Sequence, residues 1–415
     1  MIVSLEAQFE AMEQRTEATL RQIAQSLALG VTLENHRYEP DAGVFQYDLS
    51  KYADVISPNE VSMEDISNAS KKVWERTTDA LKKLQTESIE YARVINLGAD
   101  RIVERTQMLY GQVQNLKDKP YKTEFTLKSP KKFNRDGTYE PKDVASLVSV
   151  STSAFAFFDK VFVKYIDSVS GILSKLSFDD EFTDEAAMDF SPLAPTSWMA
   201  KAEPVEKDDR FRVSAPIFRT PMVQGNKAIY ASGPTETKTD ELKNWAFLVN
   251  TVRDFSFRWY TVPGMKTAPS EALVIQVDPL SNIRQRLGQL QAISKRMQAR
   301  KGYESKLAQS LRRMQMAGEK VRSKAGTFKV ETDEQTEEPK QIKGRPAVSD
   351  IIQSVTLMIN NVARMVTDYN NAMAGILRLL GSLTYMAELE LKAYQPPLRK
   401  PTQDEMKGNG NVPPT

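Results

Sequence analysis

The chain has 415 residues, 40% hydrophobic and 27% charged, with 56 lysines and arginines against 54 aspartates and glutamates. Its 0 cysteines and one histidine, His36, exclude disulfides, thiolate nucleophiles, cysteine-ligated zinc and multi-histidine metal sites. This composition suits a globular protein with more than one sub-region and lowers the expectation of catalysis.

Leu5, Phe9, Met12, Thr16, Leu20, Ile23 and Leu27 fall on one helical face, and Gly30 is placed for the C-cap. The start becomes charged too early for a secretory signal. The most apolar stretch, 144–163, is interrupted by serines, Asp159 and Lys160, so no transmembrane segment is expected. Ser57-Pro58-Asn59-Glu60 supplies a capping serine, a proline for the first helical position and a capping-box glutamate. The helix it opens keeps its spacing through Ile66, Val73, Ala80, Leu84, Tyr91, Ile95, Ile102, Leu109 and Val113 towards Pro120, with Gly98 as the expected break or bend. Its intervals also fit a coiled-coil-like seam.

Phe125 and Leu127 alternate with polar residues and Asp136-Gly137 follows as a turn, which predicts a small hairpin. Pro141 and Asp143 open a second long helix with the stripe Leu147, Val150, Ala154, Phe158, Val161, Tyr165, Val169 and Ile172. Asp179, Asp180, Glu181, Asp184, Glu185 and Asp189 then form an acidic loop, followed by prolines. Residues 211–219 and 228–232 read as two strands around Gln224-Gly225-Asn226, with Pro216 favouring an edge position. Leu242, Trp245, Ala246, Val249, Val252 and Phe255 predict an aromatic-rich helix over 240–260, and 272–277 a short strand. Asp278-Pro279 starts a basic helix to about residue 323, a polar connection runs to 346, and a last helix extends from Ser349 to Tyr394.

The predicted fold is mainly α, an elongated bundle of long amphipathic helices with small β-hairpin insertions. Four regions follow: 1–176 with the long helices and a hairpin; 177–277 with the acidic loop, β-hairpin and aromatic helix; 278–394 with the basic helix, linker and closing helix; and a disordered tail, 395–415.

Little of this carries chemistry. His36 has no local partners for a triad, and no phosphate-cradling glycine motif is present, so no catalytic residue and no cofactor are expected. Gly225-Asn226-Lys227 suits a tight turn. The acidic cluster lacks the alternating ligands and glycine of a calcium loop and reads as solvated, so no metal site is assigned. Residues 284–324 are different, holding twelve lysines and arginines against Glu304 and Glu319. Lys295, Arg296, Arg300, Lys301, Arg312 and Arg313 are the candidate nucleic-acid-binding residues, meeting phosphates without sequence preference. The bland alternative is a solvated face, or one docked on the acidic residues 179–189.

The long amphipathic N-terminal segments, the β-rich middle with Val223-Gln-Gly-Asn-Lys-Ala-Ile-Tyr230 and the closing helix together resemble the internal head (inner core) proteins of phiKZ-like large tailed bacteriophages. The resemblance spans about residues 1–394. It implies a non-enzymatic virion structural protein, packed inside the capsid beside packaged DNA and present in the host cytoplasm during assembly; the partners expected of such a helical bundle are other virion or capsid proteins or further copies of itself. It also implies trimming by a prohead protease after glutamate in Ser/Ala-x-Glu strings. Such strings end at Glu6, Glu13, Glu64, Glu90 and Glu319, and Glu13 is the candidate cleavage site because it lies near a chain end. Two other readings compete: a helical scaffold or membrane-active protein using the 144–176 face, and a hydrolase working through carboxylates.

Overall fold

The computed structural model describes residues 63–127, 130–175, 193–206, 215–233, 251–252, 254–268, 272–300, 302–327 and 348–396. The described part is mainly α, with five helices and three small sheets. The N-terminal helical pattern, His36, Glu13, the acidic cluster 179–189, Lys301 and residues 397–415 lie outside the described residues.

Helix α1 (Met63–Gln114) runs 52 residues. Ile95, Ala99, Val103, Leu109 and Val113 recur every three or four positions and are buried, which fixes the face it turns inward. Gly98 does not break it. A Cβ there would stand 2.5 Å from Leu377 Cδ2, so the glycine lets α1 close on the last helix rather than bend.

That last helix, α5 (Val348–Ala393), is the post around which the rest packs. Val355, Ile359, Val362, Ala363, Met365 and Val366 share the side of it that is turned to the core and are buried, while Asn361, Arg364, Asp368 and Asn371 make a half-buried strip along the other side. Helix α2 (Ala145–Lys175) contains a π-helical turn at Phe157–Phe162. The wider turn brings Phe157, Phe158, Val161 and Phe162 inward together and leaves Asp159 and Lys160 outside. Phe157 lies 4.3 Å from the Phe257 ring and 5.0 Å from those of Phe162 and Trp198, and Phe158 lies 4.8 Å from Tyr369. By length and composition α2 is apolar enough to cross a membrane, yet 67% of its most apolar window is buried within the protein.

The expected single basic helix is two: α3 (Leu280–Gln298) and α4 (Tyr303–Thr327). Gly302, at φ +87°, turns the chain between them, a conformation that favours glycine. Helix α1 packs along α3, α4 and α5, and α4 packs along α2.

The strands are β1 (Glu124–Leu127), β2 (Asn134–Arg135), β3 (Thr138–Tyr139), β4 (Glu203–Val205), β5 (Ile217–Arg219), β6 (Lys227–Ser232), β7 (Ser256–Thr261) and β8 (Leu273–Gln276). The predicted first hairpin is divided. β2 and β3 form it around Asp136-Gly137, both at positive φ, while β1 pairs antiparallel with β8, Phe125 opposite Ile275. The larger sheet has the order β4-β5-β6-β7. β5 is thus interior, and Pro216 immediately precedes it rather than marking an edge.

The helix expected to reach Tyr260 gives way to β7. Phe257 is buried on one face and Trp259 follows two residues on, a period of two that a helical reading of the same aromatics hides. The six-pair ladder with β6, from Lys227↔Thr261 to Ser232↔Ser256, satisfies the backbone. Trp259 then packs on α5 where Gly375 leaves it room: a Cβ there would stand 2.8 Å from the indole.

Candidate nucleic-acid interface

Of the six cations singled out above, Lys301 lies outside the described residues and the other five are used in different ways. Arg300 is held on α2. Its guanidinium lies 4.9 Å from the Phe155 ring and 5.8 Å from that of Phe158, and Nη1 donates to Asp159 Oδ2 at 2.8 Å. Arg313 makes a forked pair, its Nη2 donating to both carboxylate oxygens of Asp167 at 2.9 Å. These two arginines bind the α3–α4 segment to the exposed side of α2 through Asp159 and Asp167, which the sequence did not single out as partners.

Lys295 and Arg296, in the last turn of α3, and Arg312 on α4 are exposed. The Arg296 guanidinium lies over the Phe155 ring at 4.9 Å. On α2, Lys160 and Lys164 are exposed one helical turn apart, beside the two aspartates that hold Arg300 and Arg313. Exposed cations are thus carried by three helices, α2, α3 and α4.

A second charge cluster went unnoticed in the sequence. Glu390, on α5 and 0% exposed, receives Arg286 Nη2 at 2.5 Å and Lys142 Nζ at 3.1 Å. Asp278 receives the same two cations at 3.0 and 2.7 Å. The Asp278 N–H donates to Glu390 Oε1 at 3.1 Å, and the Tyr394 hydroxyl donates to the Asp278 carbonyl at 2.7 Å. Burial, then the charges of Glu390, Asp118 and Asp278, push the Tyr394 hydroxyl up from its ordinary pKa. Two cations and two anions thus join the loop before α2, the start of α3 and the end of α5. The signal that could have found it is Glu390 itself, which continues the buried line Ile376, Leu380, Leu383 and Ala387.

The Gln224-Gly225-Asn226-Lys227 string has a structural role. Gly225 and Asn226 take φ of +79° and +55°, and the Gly225 N–H donates to the Asn134 carbonyl at 2.8 Å. Gln224 Nε2 donates to the carbonyls of Glu140 at 2.9 Å and Asp143 at 2.7 Å, while Asn226 Oδ1 accepts the Asp136 N–H at 2.8 Å. The turn therefore ties β6 to the β2–β3 hairpin.

A recess of about 680 Å³ opens beside it, lined by Lys227, Trp259, Tyr260, Met265 and Asn371 among others. It shares no residue with the basic surface. On α5 nearby, Asp368 keeps part of its surface in contact with solvent, yet the protein around its carboxyl excludes enough water to push its pKa from 3.8 up to about 7. The charges of Arg364 and Lys227 and a hydrogen bond from the Trp259 backbone oppose that rise. Among the described residues no group of three or more histidine, aspartate or glutamate side chains stands close enough to hold a metal ion.

The class these features define is a mainly α protein whose internal charges bind its own segments together and which carries exposed cations on α2, α3 and α4. The sequence profile of phiKZ-like phage internal head proteins matches residues 49–389, most of the chain, and the chain belongs to that family. Its place is accordingly the head of the phage particle, as a virion structural component. No curated protein and no solved structure matches it.

Proposed function

We propose that this protein is a non-enzymatic packing component inside the phage capsid, an elongated helical body that lies against other head proteins and touches packaged DNA through Lys295, Arg296 and Arg312. Membership of the internal head family supports the packing role. The observation that carries the DNA contact is the exposure of these three cations while Arg300 and Arg313 are held by Asp159 and Asp167. In this reading Arg300 and Arg313 are positioning residues that keep the surface in place, and the exposed cations neutralise phosphates by displacing counterions.

Binding of the full chain to duplex DNA across a salt series tests it. Reversing Lys295, Arg296 and Arg312 to glutamate is expected to weaken binding and to flatten the slope of log K against log salt by about 2 to 3. An unchanged slope overturns the DNA contact.

A further inference from the structure

Helix α1 buries Ile95, Ala99, Val103, Leu109 and Val113 and turns its opposite side to solvent. That outer side is not uniformly polar. Leu97 is 52% exposed and Met108 53%, with exposed Arg101 and Glu104 between them. The four residues follow intervals of four, three and four, the spacing of a seam that another helix fills. Gly111 continues the line with open space where a Cβ would stand, so a second backbone can approach. The order apolar, cation, anion, apolar is also complementary to itself when reversed.

We propose that this stripe is a homotypic interface, occupied by α1 of a second copy of the chain running antiparallel across a two-fold axis that passes between Ile102 and Val103. Leu97 and Met108 are equidistant from that axis, and so are Arg101 and Glu104. Leu97 of each copy therefore meets Met108 of the other, and Arg101 meets Glu104 of the other, each contact occurring twice as an isologous interface requires. Parallel pairing in register would set Arg101 against Arg101 and Glu104 against Glu104, and like charges exclude it. One helix packed on one helix falls at the low end of stable interface sizes, about 1,200 Å², so the association is weak and grows with the crowding of a particle interior. It does not depend on DNA contact.

The lack of cysteine makes the geometry directly testable in the full chain, because introduced thiols are the only ones present. Leu97 and Met108 lie about 16 Å apart along one helix at 1.5 Å per residue. A disulfide needs Cα atoms within about 7 Å, so Leu97→Cys and Met108→Cys in one chain cannot join each other. The oxidised double variant is expected to run as a covalent dimer, and Leu97→Cys alone as a monomer. Equal cross-linking by Leu97→Cys alone, or no dimer from the double variant, overturns the proposal.

Charge exchange supplies a second measurement. Arg101→Glu and Glu104→Arg are each expected to weaken self-association roughly tenfold in sedimentation equilibrium, with the helical circular dichroism unchanged. An equimolar mixture of the two is expected to associate as the unaltered chain does, since every cross-copy pair is again of opposite sign. A mixture no stronger than either variant alone overturns the pairing.

Discussion

Helix α3 carries cations at both ends, and they do different work. In its first half Arg286 points inward to Glu390 and Asp278, where Lys142 completes a set of four charges built around the fully buried Glu390. At its end Lys295 and Arg296 point outward, and two residues beyond the helix Arg300 bonds Asp159. The residue types are the same, but the dielectric around them differs. A charge removed from water stays ionised only where partners replace the lost hydration, so the inner cluster is an all-or-nothing unit. A charge in water needs no partner and is left available for one from outside.

The largest expected effect comes from breaking the inner set. Glu390→Ala leaves Arg286 and Lys142 facing each other with Asp278 as the one anion that pairs with them among the described residues, and deprives the Asp278 N–H of its acceptor. Removing one partner of a buried pair costs about 3–5 kcal/mol, which urea denaturation would read as a large fall in midpoint. A loss below about 1 kcal/mol would mean that Asp278 and water together replace what Glu390 supplies.

Asp368 sharpens the comparison as a charge that burial suppresses rather than pairs. Its carboxyl is held near 7 in the folded chain against 3.8 ordinarily, so between those values the folded state binds a proton that the unfolded state has released. Its contribution to stability is fully present below about pH 3.8 and is lost as pH rises through about 7. Asp368→Asn keeps the uncharged shape. The variant is expected to melt above the unaltered chain at pH 8, with the gap closing towards pH 4. A gap of constant size across that range would show that the carboxyl titrates normally.

Periodicity made the long helices legible. Val355, Ile359, Val362, Val366 and Tyr369 announce α5, and Ile95, Ile102 and Leu109 announce α1, because a helix writes its contacts into local spacing. The turn at Gly225-Asn226 was legible for the same local reason. What depends on distant residues was not. β1 finds its partner β8 about 150 residues later, and no spacing near Phe125 specifies Ile275. Phe255, Phe257 and Trp259 fit both a helix and a strand until β6 supplies the ladder. Of the candidate site, the basic segment was visible as composition, but Asp159 and Asp167 as the partners of Arg300 and Arg313 come only from the packing of α4 on α2.

The smallest effects test the outer charges. Arg313 and Asp167 both keep a substantial part of their side chains in water, so the forked pair gains little over hydration. Arg313→Ala is expected to cost about 0.2–1 kcal/mol, less at high salt. Lys295→Ala, which removes a side chain with no ion pair among the described residues, should fall within about 0.5 kcal/mol of the unaltered chain. On DNA the order reverses. Lys295→Ala loses a direct phosphate contact and takes about 0.9 from the salt slope. Arg313→Ala frees Asp167 near the surface and weakens binding through that repulsion with no change in slope. Stability and salt slope measured on the same two variants therefore separate holding a surface in place from using it. Equal slopes for both would remove the distinction between positioning and contacting cations.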